Sequence, residues 1–266
     1  MTSQATASMR LVDTDGTPRA PLSPVEEARI DLAAALRWAA RFEMNESIQN
    51  HFTLAVPGVE DRYLVNPHDL HWSEVRACDL LIVDGDGVIY EGNHPVDRTA
   101  VSIHGAIHRK RASAKCVLHT HMRHVTALSM LEGWRMEYTQ QGACKFYDRI
   151  AYDDDTGFQG LAFDGSEAQR MADAMGDKSI LVLANHGVVV TGPTVAEAFD
   201  DLYYLEKVAE MQILAMSTGR KIRHIEPRVA AFTREQMAQG KGRGAHFHFN
   251  ALKRVLARRE PDFQDL

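Results

Sequence analysis

Cysteine is scarce in this chain of 266 residues, and long apolar runs are lacking. The three cysteines, Cys78, Cys116 and Cys144, are odd in number and far apart, which argues against a disulfide framework and against a zinc site built from cysteines. We therefore expect free thiols and a reducing, cytoplasmic location. No apolar run comes near the roughly 18 residues that a membrane span requires, and the N-terminus lacks the apolar centre of a secretory signal.

Positive charge is also in short supply. The 30 Lys and Arg residues face 36 Asp and Glu residues, so the net charge is −6 and the pI is near 6.1. This balance excludes a protein that binds nucleic acid through bulk charge. Hydrophobic residues make up 45% of the chain, which is enough to bury a core. We expect residues 1–22, which are small, polar and punctuated by proline, to form a flexible arm, and residues 23–266 to form a single domain.

Hydrophobic periodicity predicts helices and strands in mixed order. Ser23 is a typical helix cap, Pro24 suits the first helical position and Glu26 completes a capping box, so a helix is expected up to about Phe42. A second capping box opens a long helix over residues 194–216. Strands are expected at 51–56, 63–65, 80–83, 88–90, 116–119, 180–184 and 188–190, and further helices at 100–111, 125–131 and within 229–258. This mixture predicts either an α+β domain or a three-layer α/β/α domain.

Histidine, the commonest metal ligand, is abundant, with 13 residues. His119 and His121 stand two positions apart at the end of a predicted buried strand, so both rings point to the same face. His186, between Asn185 and Gly187, follows a second apolar strand, and the glycine permits a tight turn that projects the ring. Two such turns on buried strands favour a three-histidine site with open coordination positions, which is typical of a catalytic metal centre.

A second His-x-His pair, His246 and His248, lies in a segment that is rich in Lys and Arg and has interleaved aromatic residues. No third ligand accompanies this pair, and an isolated pair rarely holds a metal. We therefore interpret it as packing or surface.

The segments around the first three histidines, Val117–His121 and Leu183–Val188, resemble the class II aldolase/adducin family. Further segments that agree with the family are 50–58, 81–84, 91–92, 99–104 and 249–263. The resemblance covers residues 25–264 and implies a three-layer α/β/α sandwich around a central mixed, largely antiparallel sheet, usually in a tetramer. It also implies one divalent metal ion, zinc or manganese, held by His119, His121 and His186. Iron and cobalt suit three histidines as well.

The sequence departs from the sugar-phosphate aldolases of this family at their catalytic glutamate. With the preceding helix registered on His104, that position holds Ala100, which cannot transfer a proton. His51 and His104 are polar residues that offer a replacement proton donor, and Tyr138 lies near the position of a catalytic tyrosine in those aldolases. We take these three as the catalytic candidates.

The small residues with which those aldolases bind phosphate are replaced too. The matching loop positions hold Asn50-His51, His68-Asp69 and Arg98-Thr99. The carboxylate of Asp69 repels phosphate, whereas the planar guanidinium of Arg98 matches a carboxylate. We therefore expect Asn50, His68, Arg98 and Thr99 to bind a carboxylate substrate. The alternative is that Arg98 makes a surface ion pair and that the loop histidines are satisfied polar residues at strand ends.

Three functions are consistent with these features. The favoured one is a metal-dependent carbon–carbon lyase that decarboxylates a hydroxylated aromatic or heteroaromatic carboxylate, as some members of the adducin-like branch do. The second is a retro-aldolase or dehydratase acting on a non-phosphorylated hydroxy acid or sugar acid. The third is a non-catalytic, adducin-like binding module, which the presence of all three histidines disfavours. The expected partners are a small-molecule carboxylate and further copies of this chain, with neither nucleic acid nor membrane.

Overall fold

Eight strands pair into one sheet in the part of the chain that the computed structural model describes, residues 21–155, 158–161, 165–240 and 242–266. They are β1 (His51–Ala55), β2 (Tyr63–Val65), β3 (Leu81–Val83), β4 (Ile89–Glu91), β5 (Cys116–Thr120), β6 (Ile150–Asp153), β7 (Ile180–Leu183) and β8 (Gly187–Gly192). Their order across the sheet is β4-β3-β2-β1-β5-β8-β7-β6. Only the β6–β7 pair is parallel among these strands, so the sheet is mixed and largely antiparallel, as predicted.

Helices cover both faces of this sheet. The α-helices of the described ranges are α1 (Pro24–Arg41), α2 (Arg98–Lys110), α3 (Arg123–Ser129), α4 (Gly165–Met175), α5 (Val195–Met216), α6 (Pro227–Ala238) and α7 (Arg243–Arg259). None of them is long and apolar enough to cross a membrane. Leu118 and Val188 share one apolar cluster with α1, α5 and α7, whereas Val117 and Val189 share another with α2 and α4. This alternation along the strands confirms the three-layer α/β/α sandwich.

Local capping signals fix where two helices begin. The Ser23 hydroxyl oxygen accepts a hydrogen bond from the Glu26 backbone N–H, and the Glu26 carboxylate accepts one from the Ser23 N–H, which confirms the predicted capping box of α1. Thr194 caps α5 in the same way. The Glu197 carboxylate, however, accepts from the Thr194 hydroxyl, so only half of that predicted box forms.

The predicted flexible arm, residues 1–22, lies outside the described residues up to residue 20. Its last residue, Leu22, packs against the apolar core beside α1. The folded part of the chain therefore includes Leu22, because its side chain contributes to the same buried surface as the helix that follows.

Two elements escape prediction from the sequence, β6 and α4. β6 lies at the edge of the sheet and three of its four residues are only half-buried, so it lacks the apolar run of a core strand. α4 does carry a detectable helical signal, because its buried residues are spaced by three and four: Ala168, Met171, Ala172 and Met175. The predicted stretch 229–258 resolves into α6 and α7, separated at Gly242, which adopts a left-handed conformation with φ 76°.

Candidate metal centre

Two neighbouring parts of the sheet bring three histidines together. His119 is the fourth residue of β5, the strand between β1 and β8, and His121 follows directly after its end. His186 lies in the turn between β7 and β8. The three ring centroids are 5.0, 4.9 and 4.9 Å apart, and one ligand nitrogen from each ring lies within 4.8 Å of the others. The predicted triad thus meets at one point, and the described residues hold no second group of three ligating side chains this close.

Hydrogen bonds determine which nitrogen of each ring is free. His119 Nδ1 donates to the Val188 carbonyl oxygen over 3.1 Å, and His121 Nδ1 donates to the Glu46 carboxylate over 2.6 Å. In the neutral rings both Nε2 atoms then carry lone pairs, yet these atoms are only 3.2 Å apart. Two tetrahedral zinc ligands with bonds of about 2.0–2.1 Å would stand about 3.3 Å apart. His186 Nδ1 is buried and has no hydrogen-bond partner among the described residues. The spacing of the Nε2 atoms of His119 and His121, together with this unpaired nitrogen, therefore fits three ligands of one divalent cation.

Burial keeps these rings in the neutral form that binds metals. Desolvation, together with the neighbouring histidines, lowers the pKa of His119 well below its usual 6.5. Desolvation and the nearby His121 lower the pKa of His186 to about 4. Both rings are therefore unprotonated at neutral pH, and no proton has to leave before they can act as ligands.

The turn that carries His186 depends on two unusual backbone positions. Asn185 has a positive φ of 58°, which asparagine tolerates better than most residues. Gly187 is needed for a different reason from the predicted turn flexibility, since its φ is not in the left-handed region. A Cβ atom at Gly187 would lie 2.5 Å from the Thr120 carbonyl oxygen and 2.9 Å from Cδ2 of His121. The glycine therefore permits the close approach of the two ligand-bearing segments.

We expect Gly187→Ala to weaken zinc binding by about 10–100-fold, the range seen when residues that support metal ligands are changed. The added methyl group must displace either the β5 backbone or the ring of His121. Competition with a chelator measures the zinc dissociation constant. Gly244→Ala on α7 is the matched control, because a Cβ there meets nothing within 4 Å. Equal zinc affinity in the Gly187 variant and the wild type would contradict this assignment of the glycine.

The triad opens onto a cavity of about 380 Å³. Four of the residues predicted from the sequence line it: Asn50, His51, His68 and Thr99. The other described lining residues besides the three triad histidines are Glu46, Gln49, Asp97, Ile103, Gly160 and Leu161. None of the described lining residues is Lys or Arg, and two are carboxylates, so these residues offer a phosphate no Lys or Arg cation.

Two predicted residues, Arg98 and Tyr138, are not brought to this cavity. Arg98 is exposed at the first residue of α2, where its side chain does not line the cavity. The half-buried Tyr138 packs against the ring of Tyr147, with the two ring centroids 5.0 Å apart, and it does not line the cavity. Neither the expected carboxylate anchor, Arg98, nor the expected catalytic tyrosine, Tyr138, therefore reaches the triad within one chain.

His104 lies behind the cavity wall, fully enclosed, with its Nε2 2.9 Å from Nδ1 of His51. It reaches the cavity only through His51, because it does not itself line the cavity beside the triad. The predicted pair of proton carriers is thus adjacent, with one member facing the cavity and the other supporting it.

Ala100, at the position of the aldolase glutamate, also faces away from the cavity. It is fully buried in an apolar cluster with Tyr63, Val65 and Leu81. The helix residues that do line the cavity are Thr99 and Ile103, one turn apart, after the Asp97 cap. A glutamate at position 100 would therefore enter the apolar core of the sheet.

Two carboxylates of the site, Asp97 and Glu46, are not among the site residues chosen from the sequence. Burial would raise the pKa of Asp97, but the nearby His51 and two hydrogen bonds from Thr99 outweigh burial and lower it. Its signal was available, because Asp-x-Thr before an amphipathic stretch is typical of a helix cap. Glu46 lies in an irregular segment before β1, and nothing in its spacing indicates that it supports His121.

A larger cavity, of about 680 Å³, lies at the opposite end of β8 and is lined by His248 of the second His-x-His pair. His248 Nδ1 donates to Asp200 over 2.8 Å, and Asp200 also pairs with Lys145. Arg149 pairs with Asp201 in the same wall. These charges are satisfied by one another, and His248 is engaged in packing, as interpreted from the sequence.

The chain is similar to several known proteins over most of its length. The sequence profile of one family, Class II Aldolase and Adducin N-terminal domain, matches residues 30–213. A Caulobacter vibrioides protein named after the class 2 aldolases is 30% identical over 241 residues, which cover 90% of this chain and 92% of that protein. Decarboxylase NovR of Streptomyces niveus is 30% identical over 237 residues, covering 86% of this chain and 84% of that protein.

Among solved structures, the aldolase II superfamily protein from Pseudomonas syringae has a TM-score of 0.85 to this chain and is 35% identical to it. The match covers 92% of this chain and 98% of that one. The similarity therefore extends over both layers of helices as well as the sheet.

Proposed function

This chain belongs to the class II aldolase and adducin family, and on that premise we propose that it is a metal-dependent lyase that decarboxylates a hydroxylated aromatic or heteroaromatic carboxylate. The observation that carries the proposal is the triad of His119, His121 and His186, whose free nitrogens converge at one end of a cavity of about 380 Å³. The similarity to a protein named as a decarboxylase supports the reaction type.

The three histidines would hold one divalent ion, zinc or manganese. When bound there, such an ion supplies Lewis-acid stabilisation of the negative charge that develops as the carbon–carbon bond breaks. Glu46 and the Val188 carbonyl oxygen hold two of the three rings in the tautomer that leaves Nε2 free. The chain's own contribution is thus a preset donor geometry.

Asn50 is suited to hold the substrate carboxylate. Its Oδ1 accepts hydrogen bonds from the backbone N–H groups of Glu46 and His121, which fixes the orientation of the amide. Its Nδ2 is buried and has no partner among the described residues, although Asn50 lines the cavity. A buried, unpaired N–H donor costs about 1–3 kcal/mol, which a substrate oxygen would recover. His68 offers a second polar contact on the same wall.

The absence of Lys and Arg from the described cavity lining favours a carboxylate over a phosphate. A phosphate would bring close to two negative charges towards Glu46 and Asp97, whereas a carboxylate brings one. Since the usual small phosphate-binding residues are also replaced by Asn50, His68 and Arg98, sugar phosphates are the less suitable substrates.

His51 is placed to move the proton. Burial lowers the pKa of His51 to about 4, so the ring begins the reaction as a base rather than as a proton donor. It takes the proton of the substrate hydroxyl group that lies beside the carboxylate. His51 returns that proton to the ring carbon that bears the carboxylate, which gives the keto form of the ring. The bond to the carboxylate then breaks, its electron pair restores the aromatic ring as a phenolate, and carbon dioxide leaves. The same base serves a retro-aldol cleavage of a hydroxy acid, which remains the second candidate.

A substrate screen tests the proposal. Zinc- or manganese-loaded protein is offered ortho-hydroxy aromatic acids labelled with ¹³C in the carboxylate, non-phosphorylated hydroxy acids, and fuculose-type sugar phosphates. We expect labelled carbon dioxide from the hydroxy aromatic acids. Aldehyde release from hydroxy acids alone would establish the retro-aldol alternative. Efficient cleavage of sugar phosphates with no turnover of any hydroxy carboxylate would refute a carboxylate lyase altogether.

We also propose that the working form is a homo-oligomer, with the tetramer first. The C-terminal aromatic stretch contributes less to an interface than its composition suggests, because Phe249 and Phe263 are buried in the chain's own core. The apolar side chains that remain exposed include Met211, Leu214 and Met216 on α5, Phe232 and Met237 on α6, and Phe247 on α7. Met211 and Leu214 are three residues apart on α5 and therefore lie on the same side of that helix, and contiguous exposed apolar patches are typical of association surfaces. Sedimentation velocity should show a mass near four chains, and a monomer at micromolar concentration would contradict it.

A further inference from the structure

A chain of four hydrogen bonds runs inward from His51, away from the metal triad. His51 Nδ1 lies 2.9 Å from His104 Nε2, and His104 Nδ1 lies 2.8 Å from Thr53 Oγ1. Thr53 Oγ1 lies 2.7 Å from His108 Nε2, and His108 Nδ1 lies 2.7 Å from the Ala114 carbonyl oxygen. The four side chains are buried, with exposures of 1–8%. We call these groups the relay.

The sequence builds the relay from two simple spacings. His51 and Thr53 are two residues apart on β1, so they point to the same face of the sheet. His104 and His108 are four residues apart on α2, so they lie on the same side of that helix. The ring of Tyr63 stacks on His108 with 4.3 Å between centroids and thereby holds the inner end in place.

The direction of every hydrogen bond in the relay follows from its inner end. The Ala114 carbonyl oxygen can only accept, so His108 carries its hydrogen on Nδ1 and its Nε2 accepts from the Thr53 hydroxyl. The single hydroxyl hydrogen of Thr53 is then used, so Thr53 Oγ1 accepts from Nδ1 of His104. His104 Nε2 in turn accepts from Nδ1 of His51. Burial supports this arrangement of neutral rings, because it lowers the pKa of His104 and of His108.

The outer end of the relay is therefore a lone pair on Nε2 of His51. That nitrogen faces the cavity side, where Thr99 Oγ1 is 3.4 Å away. The Thr99 hydroxyl does not compete for it, since it donates to the Asp97 carboxylate over 2.8 Å. Nothing else in the described residues donates to this nitrogen, which leaves it for a hydroxyl group of the substrate.

We propose that Thr53, His104 and His108 are positioning residues that hold His51 in the tautomer with hydrogen on Nδ1 and a lone pair on Nε2 towards the cavity. The part played by that lone pair in the reaction rests on the proposed function, whereas the tautomer itself does not. Three polar side chains in a buried region are costly unless every hydrogen bond is made, and an apolar trio would fill the space without that requirement. Holding His51 in one tautomer explains why polar side chains, and not apolar ones, occupy these three positions.

The tautomer is measured directly in the zinc-loaded protein. Long-range ¹H–¹⁵N correlation spectra of ¹⁵N-histidine protein distinguish a protonated ring nitrogen from one with a lone pair. We expect His51 in a single tautomer, protonated on Nδ1. A hydrogen on Nε2 of His51 in the wild type would overturn the proposal. Because the wild-type protein is measured, this test does not depend on whether a variant folds.

Variants then separate positioning from packing. Thr53→Val keeps the volume but breaks the relay, so we expect a mixture of His51 tautomers and a fall in kcat of about 10–100-fold with KM changed less than about twofold. Thr53→Ser restores the hydroxyl and should restore both the single tautomer and most of kcat. Thr191→Val is the matched control, because Thr191 is equally buried at 3% and its hydroxyl donates to Ser179 at the far end of β8.

The outcomes distinguish this proposal from the proposed function. If His51 has the single Nδ1–H tautomer but the protein turns over no hydroxy carboxylate, the relay proposal holds and the proposed decarboxylase activity is refuted. If the protein turns over such a substrate and Thr53→Val leaves the His51 tautomer unchanged, the relay proposal is refuted and the proposed decarboxylase activity holds.

Discussion

His121→Ala is expected to abolish metal retention, from one zinc ion per chain to none after dialysis against a weak chelator. Two nitrogens remain, and an isolated histidine pair rarely holds a metal. Turnover should fall at least on the order of 10³-fold, since Lewis-acid stabilisation is worth several kcal/mol. His121 is only partly buried and follows the end of β5, so its truncation removes a ligand without opening the core. Elemental analysis of the dialysed protein gives the stoichiometry.

The second His-x-His pair provides the control for this experiment. His246 is exposed on α7, and His246→Ala makes the same chemical change at the same kind of motif. We expect it to retain one ion per chain and full activity. If His121→Ala kept its zinc with unchanged affinity, the triad would not be the metal centre.

His51→Gln is expected to lower kcat by about 10²–10⁴-fold, the usual contribution of a positioned base, while the metal content stays at one ion per chain. The glutamine amide can still donate a hydrogen bond to His104 Nε2, so the buried groups behind it remain satisfied. It cannot accept the substrate proton, because an amide nitrogen is not basic. Steady-state kinetics and elemental analysis of the same sample separate loss of chemistry from loss of the metal.

His71→Gln is the matched control for that substitution. His71 is exposed and bonds only locally, to Ser73 and Glu74. Its kcat should equal that of the wild type. A kcat within about threefold of the wild type in His51→Gln would assign the proton transfer to another group.

The elements and the triad were predictable because their signals are local. The strand Ile180–Leu183 is apolar throughout, and Asn185 and His186 follow one residue after its end. The capping box at Ser23 marks a helix start within four residues. The His119 and His121 pair follows from the period of a strand alone. Each of these predictions needs only neighbouring residues, which the sequence supplies in order.

The cavity wall was less predictable because it depends on distances between remote segments. Glu46 supports His121 from 75 residues away in the chain, and no pattern relates the two. Ala100 matches the aldolase glutamate in sequence register, but the rotation of α2 directs it into an apolar cluster and leaves Thr99 facing the cavity. Arg98 has a guanidinium group that suits a carboxylate, but its side chain is exposed. Residue type alone could not predict where that side chain lies.

The position of β5 in the middle of the sheet determines how fast the different metal-ligating histidines become accessible to solvent. Residues Cys116–His119 of β5 pair with both β1 and β8, so amide hydrogen exchange at His119 requires the sheet to separate and should occur only on global unfolding. The turn that carries His186 has no ladder on its outer side, and Asn185 is exposed. Its amides should exchange through local fraying, orders of magnitude sooner. The three metal-ligating histidines therefore come from a strand that opens only on global unfolding and from a turn that opens by local fraying.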